Sequence, residues 1–253
     1  MREKRGQVTI FVITALVLVV VSISVYALYP QIKSTLGLDV KNPNQFVQDC
    51  VEEHLKEAKE KLVLQGGSID PEHYYLYNDD KIEYLCYNQE YYAMCVVQQP
   101  LLKSHIEAEL AREIASSTQE CFSELESVFK GKGYEVSLRR GNVEIELLPK
   151  RIVAKLDHSL ILIKDSREEY KSFNVVINDN LYELVSIANS IISMETKYGD
   201  SETTTYMNYY HDLKVEKLKQ TDGTTIYILT NRNTQNKFQF ASRSLAWPPG
   251  YGM

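Results

Sequence analysis

Several things are scarce in this 253-residue chain, and each scarcity narrows what the chain can be. Basic residues are outnumbered, 28 Lys and Arg against 34 Asp and Glu, which leaves a net charge of −6. A nucleic-acid partner needs a basic face that displaces counterions from phosphates, and no Lys/Arg cluster follows the first five residues, so no nucleic acid is expected. Histidine and cysteine are too thinly spread for the familiar metal and catalytic signatures. There is no C-x-x-C pair, no H-E-x-x-H helix and no G-x-S-x-G elbow. Gln65-Gly66-Gly67-Ser68 and Gly131-Lys132-Gly133 lack phosphate-loop spacing and follow helical patterns instead of opening them, so they read as helix stops. Neither a cofactor nor a metal is expected. Phe and Trp are also few, seven and one against 18 Tyr. Tyrosine combines broad apolar contact with a polar tip, which suits exposed β surfaces and binding faces.

What the chain does have is an apolar run. Arg2, Lys4 and Arg5 form a basic tip, and Val8 to Leu28 then contains no charged residue. Its length is about the 20 residues a helix needs to cross a bilayer core. Lys and Arg next to a span stay cytoplasmic, and only Lys33 and Lys41 follow it, which places the N-terminus inside and the rest outside. A cleaved secretory signal would have a shorter core and a small-x-small site, whereas this one runs into Tyr26-Ala27-Leu28-Tyr29-Pro30. An uncleaved anchor remains an alternative.

The stretch Lys4-Arg5-Gly6-Gln7-Val8-Thr9-Ile10-Phe11 resembles the class III signal of archaeal type IV pilins and archaellins. The resemblance covers about the first thirty residues. It implies cleavage between Gly6 and Gln7 on the cytoplasmic side, with the apolar helix kept as the mature N-terminus. Phe11 departs from it, since many pilins carry Glu there. The same opening is similar to that of uncharacterised membrane-anchored surface proteins of small-genome symbiotic archaea, for which it implies a shared export route.

Cys50, Cys86, Cys95 and Cys121 are an even set, and outside the cell such a set reads as disulfides, with three pairings open. Cys86 and Cys95 flank Tyr87–Tyr92, a plausible hairpin, and Cys50 and Cys121 each fall on the apolar side of a helical pattern. The favoured pairing is therefore 86–95 with 50–121.

The spacing predicts an α+β fold: a transmembrane helix, then a disulfide-stapled helical/β part, then a mostly antiparallel part with a packed helix. The divisions are 1–29 (basic tip and span), 30–43 (linker), 44–131 (helix–hairpin–helix) and 132–253 (antiparallel α+β). Apolar residues three and four apart predict helices from Asn44 to Leu62, from Pro100 to Val128 and from Leu181 to Met194. Alternation predicts two or three strands in Tyr74–Val97, a hairpin of Tyr134–Arg139 with Val143–Leu147 around Arg140-Gly141-Asn142, and strands at 152–156 and 160–163. A second hairpin is expected around Thr221-Asp222-Gly223, then a last strand at Phe238–Arg243. Glu107, Glu109 and Glu113 are expected on the solvent side of the second helix.

Asp157-His158-Ser159 and His211-Asp212 are the residues that would tempt a catalytic reading. Neighbours on a strand point to opposite faces, so catalysis would need these groups to converge through the fold. No catalytic residue is therefore assigned. The expectation is a membrane-anchored, pilin-like surface protein held through Val8–Leu28 or released into a filament, with a binding, adhesion or assembly role. An extracytoplasmic hydrolase on the same tether is the alternative, and an accessory subunit of a pilus or secretion machine is a third.

Overall fold

The computed structural model describes residue 17, residues 42–248 and residue 250. The readings on Gly6, Gln7 and, apart from Val17, the Val8–Leu28 span lie outside those residues. Among the described residues no helix is long and apolar enough to cross a membrane.

The fold is α+β. Helix α1 (Pro43–Leu64) starts where the Asn42 side chain accepts the Asn44 amide, with Pro43 at the first position, where a missing N–H costs nothing. Its stripe Val47, Val51, Leu55, Ala58 and Leu62 is buried. Helix α2 (Leu102–Gly131) buries Ile106, Leu110, Ile114, Phe122 and Leu125 in the same way. The two helices pack together and are bonded through Cys50–Cys121. Two more helices follow, α3 (Leu181–Tyr198) and the short α4 (Thr203–Tyr209). The β-branched run Thr203–Thr205 hid α4 from a propensity reading.

Strands β1 (Tyr74–Tyr77) and β2 (Asp80–Tyr87) form a hairpin whose two-residue loop, Asn78-Asp79, has positive φ at both positions. That is the turn whose twist suits paired strands. Strand β3 (Val96–Val97) pairs with the far end of β2, and Cys86–Cys95 bonds across that return, so both expected cysteine pairings are present. At the C-terminal end, β10 (Leu213–Lys219), β11 (Thr225–Asn231) and β12 (Lys237–Arg243) form the expected antiparallel run. β12 then pairs parallel to β2, which produces a six-stranded mixed sheet shared by the 44–131 and 132–253 segments.

Between these elements lie β4 (Glu135–Arg139), β5 (Val143–Leu148), β6 (Arg151–Leu156), β7 (Ser159–Ile163), β8 (Arg167–Tyr170) and β9 (Phe173–Asn178). Here one expectation fails. β4 and β5 do not pair with each other: β4 pairs with β7, and β5 with β6. The registers show a single long ribbon, with Arg139 opposite Ser159 and Val143 opposite Leu156. Arg140, Gly141 and Asn142 therefore bulge against Asp157 and His158. β8 and β9 add a third strand broken at the same level, with Tyr170 opposite Leu160 and Phe173 opposite Leu156. The turn that closes the ribbon is Pro149-Lys150, with Lys150 at φ 61°. Gly141 is required at the bulge, because a Cβ there would lie 1.7 Å from the Asp157 carbonyl oxygen.

α1 packs on β9 and β12, α2 on β4 and β5, and α3 on β11 and β12. One apolar cluster runs through all of them, from Val47 to Phe240. The outer strand β9 is covered by a side chain: Gln48 donates to the Val176 carbonyl and accepts from the Val176 amide, both at 3.2 Å. The amide group thus stands in for a neighbouring strand at an otherwise open edge.

Candidate functional site

The end of α1 builds a concavity. After Leu64 the chain turns through Gln65-Gly66-Gly67 and lies directly against β2. The Gln65 carbonyl accepts the Glu83 amide, and a Cβ on Gly66 would meet the Glu83 Cβ at 2.7 Å. Gly66 also has φ +80°, so glycine is needed on both counts. This close approach sets Ser68 between β2 and α2, on the wall of a cleft of 460 Å³.

Three side chains from three separate elements meet there. The Ser68 hydroxyl donates to Glu83 Oε2 at 2.6 Å, and His105 Nε2 lies 2.8 Å from the same Ser68 Oγ. With Ser68 donating to the carboxylate, the imidazole N–H is the donor to Oγ. Gln99 donates to the other Glu83 oxygen at 3.3 Å. One turn along α2 from His105, Glu109 accepts the Ile69 amide at 3.0 Å and pairs with Arg112 at 2.6 Å. Ser68, Glu83 and Glu109 are all buried.

The two carboxyls differ in surroundings. Burial pushes Glu83 above its ordinary value, helped by the nearby Glu109 charge, while the bonds from Ser68 and Gln99 pull the other way. Glu109 has a guanidinium and a backbone N–H as partners. On the outer wall His73 packs against Tyr84 and Tyr87, with ring centroids 4.8 and 4.3 Å away. Asp70, Glu72 and Glu113 make the rim acidic, and Asp70 pairs with Lys81 at 3.1 Å.

Compared with known proteins, the chain matches no family model, no curated protein and no solved structure. The geometry therefore stands by itself.

The residues picked out from sequence lie elsewhere. His158 is fully buried at the ribbon break, stacked on Phe122, with Asp157 exposed beside it. His211 and Asp212 are exposed in the connection before β10. None of the four lines the cleft. Cys50, Cys121 and His54 bring ligand-type atoms within 4.8 Å of one another, but the two sulfurs are bonded to each other and have no thiolate to offer a metal.

The cleft residues carried no sequence signal. Ser68 reads as part of a helix stop, and Glu83 as one position in an alternating strand. The expected solvent placement of Glu107 and Glu109 is incorrect. Glu109 is buried, and Glu107, half-buried, accepts the Leu147 amide at 2.8 Å. Both turn inward because backbone N–H groups of Ile69 and Leu147 need acceptors where α2 meets the loop and β5.

Two further buried networks hold elements together. Lys59 of α1 pairs with Asp179 at 2.9 Å, and Asp179 also accepts the Leu181 amide at the start of α3. Glu195 of α3 accepts the hydroxyls of Tyr227 and Ser242.

Proposed function

We propose that the chain is a membrane-anchored surface protein, pilin-like in its opening, whose disulfide-bonded part works outside the cell in binding, adhesion or assembly. The observation that carries this reading is the bonding of all four cysteines, Cys50 to Cys121 and Cys86 to Cys95. Glutathione and thioredoxin keep such pairs reduced in most cytosols, so an exported location suits them. The basic tip and uncharged run before residue 30 supply a route there.

The test is the N-terminus of the native protein, by mass spectrometry of membrane and sheared-surface fractions. A chain beginning at Gln7 in the sheared fraction supports a filament subunit. The same cleavage confined to membranes supports an accessory subunit of the assembly machine. Recovery of a soluble, reduced protein starting at Met1 would overturn the proposal.

A further inference from the structure

We propose that the Ser68 cleft is a hydrolytic site in which Ser68 is the nucleophile, for esters or amides whose acyl side carries a positive charge. The inference goes beyond the surface role and does not depend on how the chain is anchored. Three observations converge on it. Ser68 Oγ already donates its proton to Glu83 at 2.6 Å, which is the geometry of a nucleophile and its base. His105 donates to the same oxygen at 2.8 Å, which fixes the position of Oγ between the imidazole and the carboxylate. The three groups come from a loop, a strand and a helix, and they meet at a cleft large enough for a small substrate.

The roles follow from the bonds. Ser68 Oγ attacks the carbonyl carbon while its proton passes to the Glu83 carboxylate. The C–X bond breaks, and Glu83 returns that proton to the leaving group, giving an acyl-serine and HX. Water then attacks the acyl carbon and loses a proton to Glu83. Oγ departs and recovers that proton, giving the free acid and the original site. One carboxyl serves as base and then acid in each half, and a carboxyl lifted above its ordinary value by burial suits both tasks. His105 acts as a positioning group through its bond to Oγ.

The rim decides the substrate's charge. Asp70, Glu72 and Glu113 line the cleft; Asp70 is paired with Lys81 and the one lining arginine, Arg112, with Glu109, which leaves Glu72 and Glu113 to set the sign of the charge there. A negative mouth attracts cations and repels anions.

The experiment is labelling of the purified full chain with a fluorophosphonate, located by peptide mass spectrometry. Attachment at Ser68 is expected, absent in Ser68→Ala and at least tenfold slower in Glu83→Gln. Among p-nitrophenyl esters, lysine esters should be cleaved at least tenfold faster than glutamate esters. The Ser68→Cys variant checks access separately, because its introduced thiol should react with iodoacetamide in the folded protein. An unlabelled Ser68 under conditions that label a known serine hydrolase would overturn the proposal. So would a Ser68→Cys protein whose introduced thiol stays unreactive, or a Glu83→Gln protein that labels at the unmodified rate. None of these results bears on the N-terminal processing test.

Discussion

His158 lies flat on Phe122, with ring centroids 4.3 Å apart and planes within 9° of parallel, and neither of its ring nitrogens has a hydrogen-bond partner. A histidine held this way works as an apolar plate that fills the space where the ribbon breaks. Its two nitrogens lose hydration without recompense, at about 1–3 kcal/mol per unsatisfied group. His158→Phe keeps the stack and removes both, so it should raise stability at pH 7 by about 1 kcal/mol after some strain from the larger ring. Urea denaturation checks this, and a loss of stability would overturn the expectation.

The same residue makes a pH prediction. Burial lowers the His158 pKa from 6.5, with Arg140 helping and the Asp157 charge opposing. The unfolded chain therefore takes up a proton near pH 6.5 before the folded one does. Stability is retained above that value and falls as pH drops through 6.5 toward the lower folded value. Unfolding midpoints measured between about pH 7.5 and 5 should decline in the native chain and decline less in His158→Phe.

Glu195 should behave in the opposite sense. Burial raises its pKa above 4.5, while the bonds from Tyr227 and Ser242 act against that rise. Its contribution is complete below 4.5 and is lost as pH increases through the raised folded value, because the unfolded chain ionises first. Glu195→Gln retains an acceptor for Tyr227 and does not titrate. Its stability relative to the native chain should improve from about pH 4 to pH 7, and a difference that stays flat over that range would contradict the assignment.

The two disulfides should not be equal. Cys50–Cys121 closes 71 residues and Cys86–Cys95 closes nine. Loop entropy assigns about 4 kcal/mol to the first and about 2.5 kcal/mol to the second. Replacing Cys50 and Cys121 by Ala should therefore lower the denaturation midpoint further than replacing Cys86 and Cys95. The reverse order would mean that the longer crosslink is strained, or that the shorter one holds contacts beyond loop closure.

Gly141→Ala should be severe. The added methyl would have to occupy the position of the Asp157 carbonyl oxygen, 1.7 Å from where its carbon belongs. Relief requires separating the two strands of the ribbon at its bulge, and a loss of more than about 4 kcal/mol is expected, in the range reserved for such clashes. Loss of cooperative thermal unfolding would register it.

Gly141 also shows where reading the sequence succeeds and where it stops. The long helices were legible because one face of each is apolar at three- and four-residue spacing, and that face meets the core at Val47–Leu62 and Ile106–Leu125. Arg140-Gly141-Asn142 has the composition of a turn, and nothing local separates a turn from a bulge that a facing strand squeezes. Pairing was decided by Asp157, sixteen residues on. β8 is hidden because Arg167-Glu168-Glu169 is charged and faces solvent, whereas β9 does alternate, with Phe173, Val175 and Ile177 buried between exposed neighbours, so its pattern was there to be read. Ser68, Glu83 and His105 are separated by 15 and 22 residues, a spacing with no periodic meaning. Only the packing of α1, β2 and α2 brings them together.

The position of β12 has a consequence for how the chain is made. β12, made long after β2, is seated in the middle of the six-stranded sheet, with β2 on one side and β11 on the other. A polypeptide emerging from its N-terminus can coil α1 and close the β1–β2 hairpin early, but β2 must wait for a partner about 150 residues away. Until residues 237–243 arrive, one flank of β2 is an open template for strands of other chains. Slow completion of the sheet, and a need for protection during that interval, are built into its order.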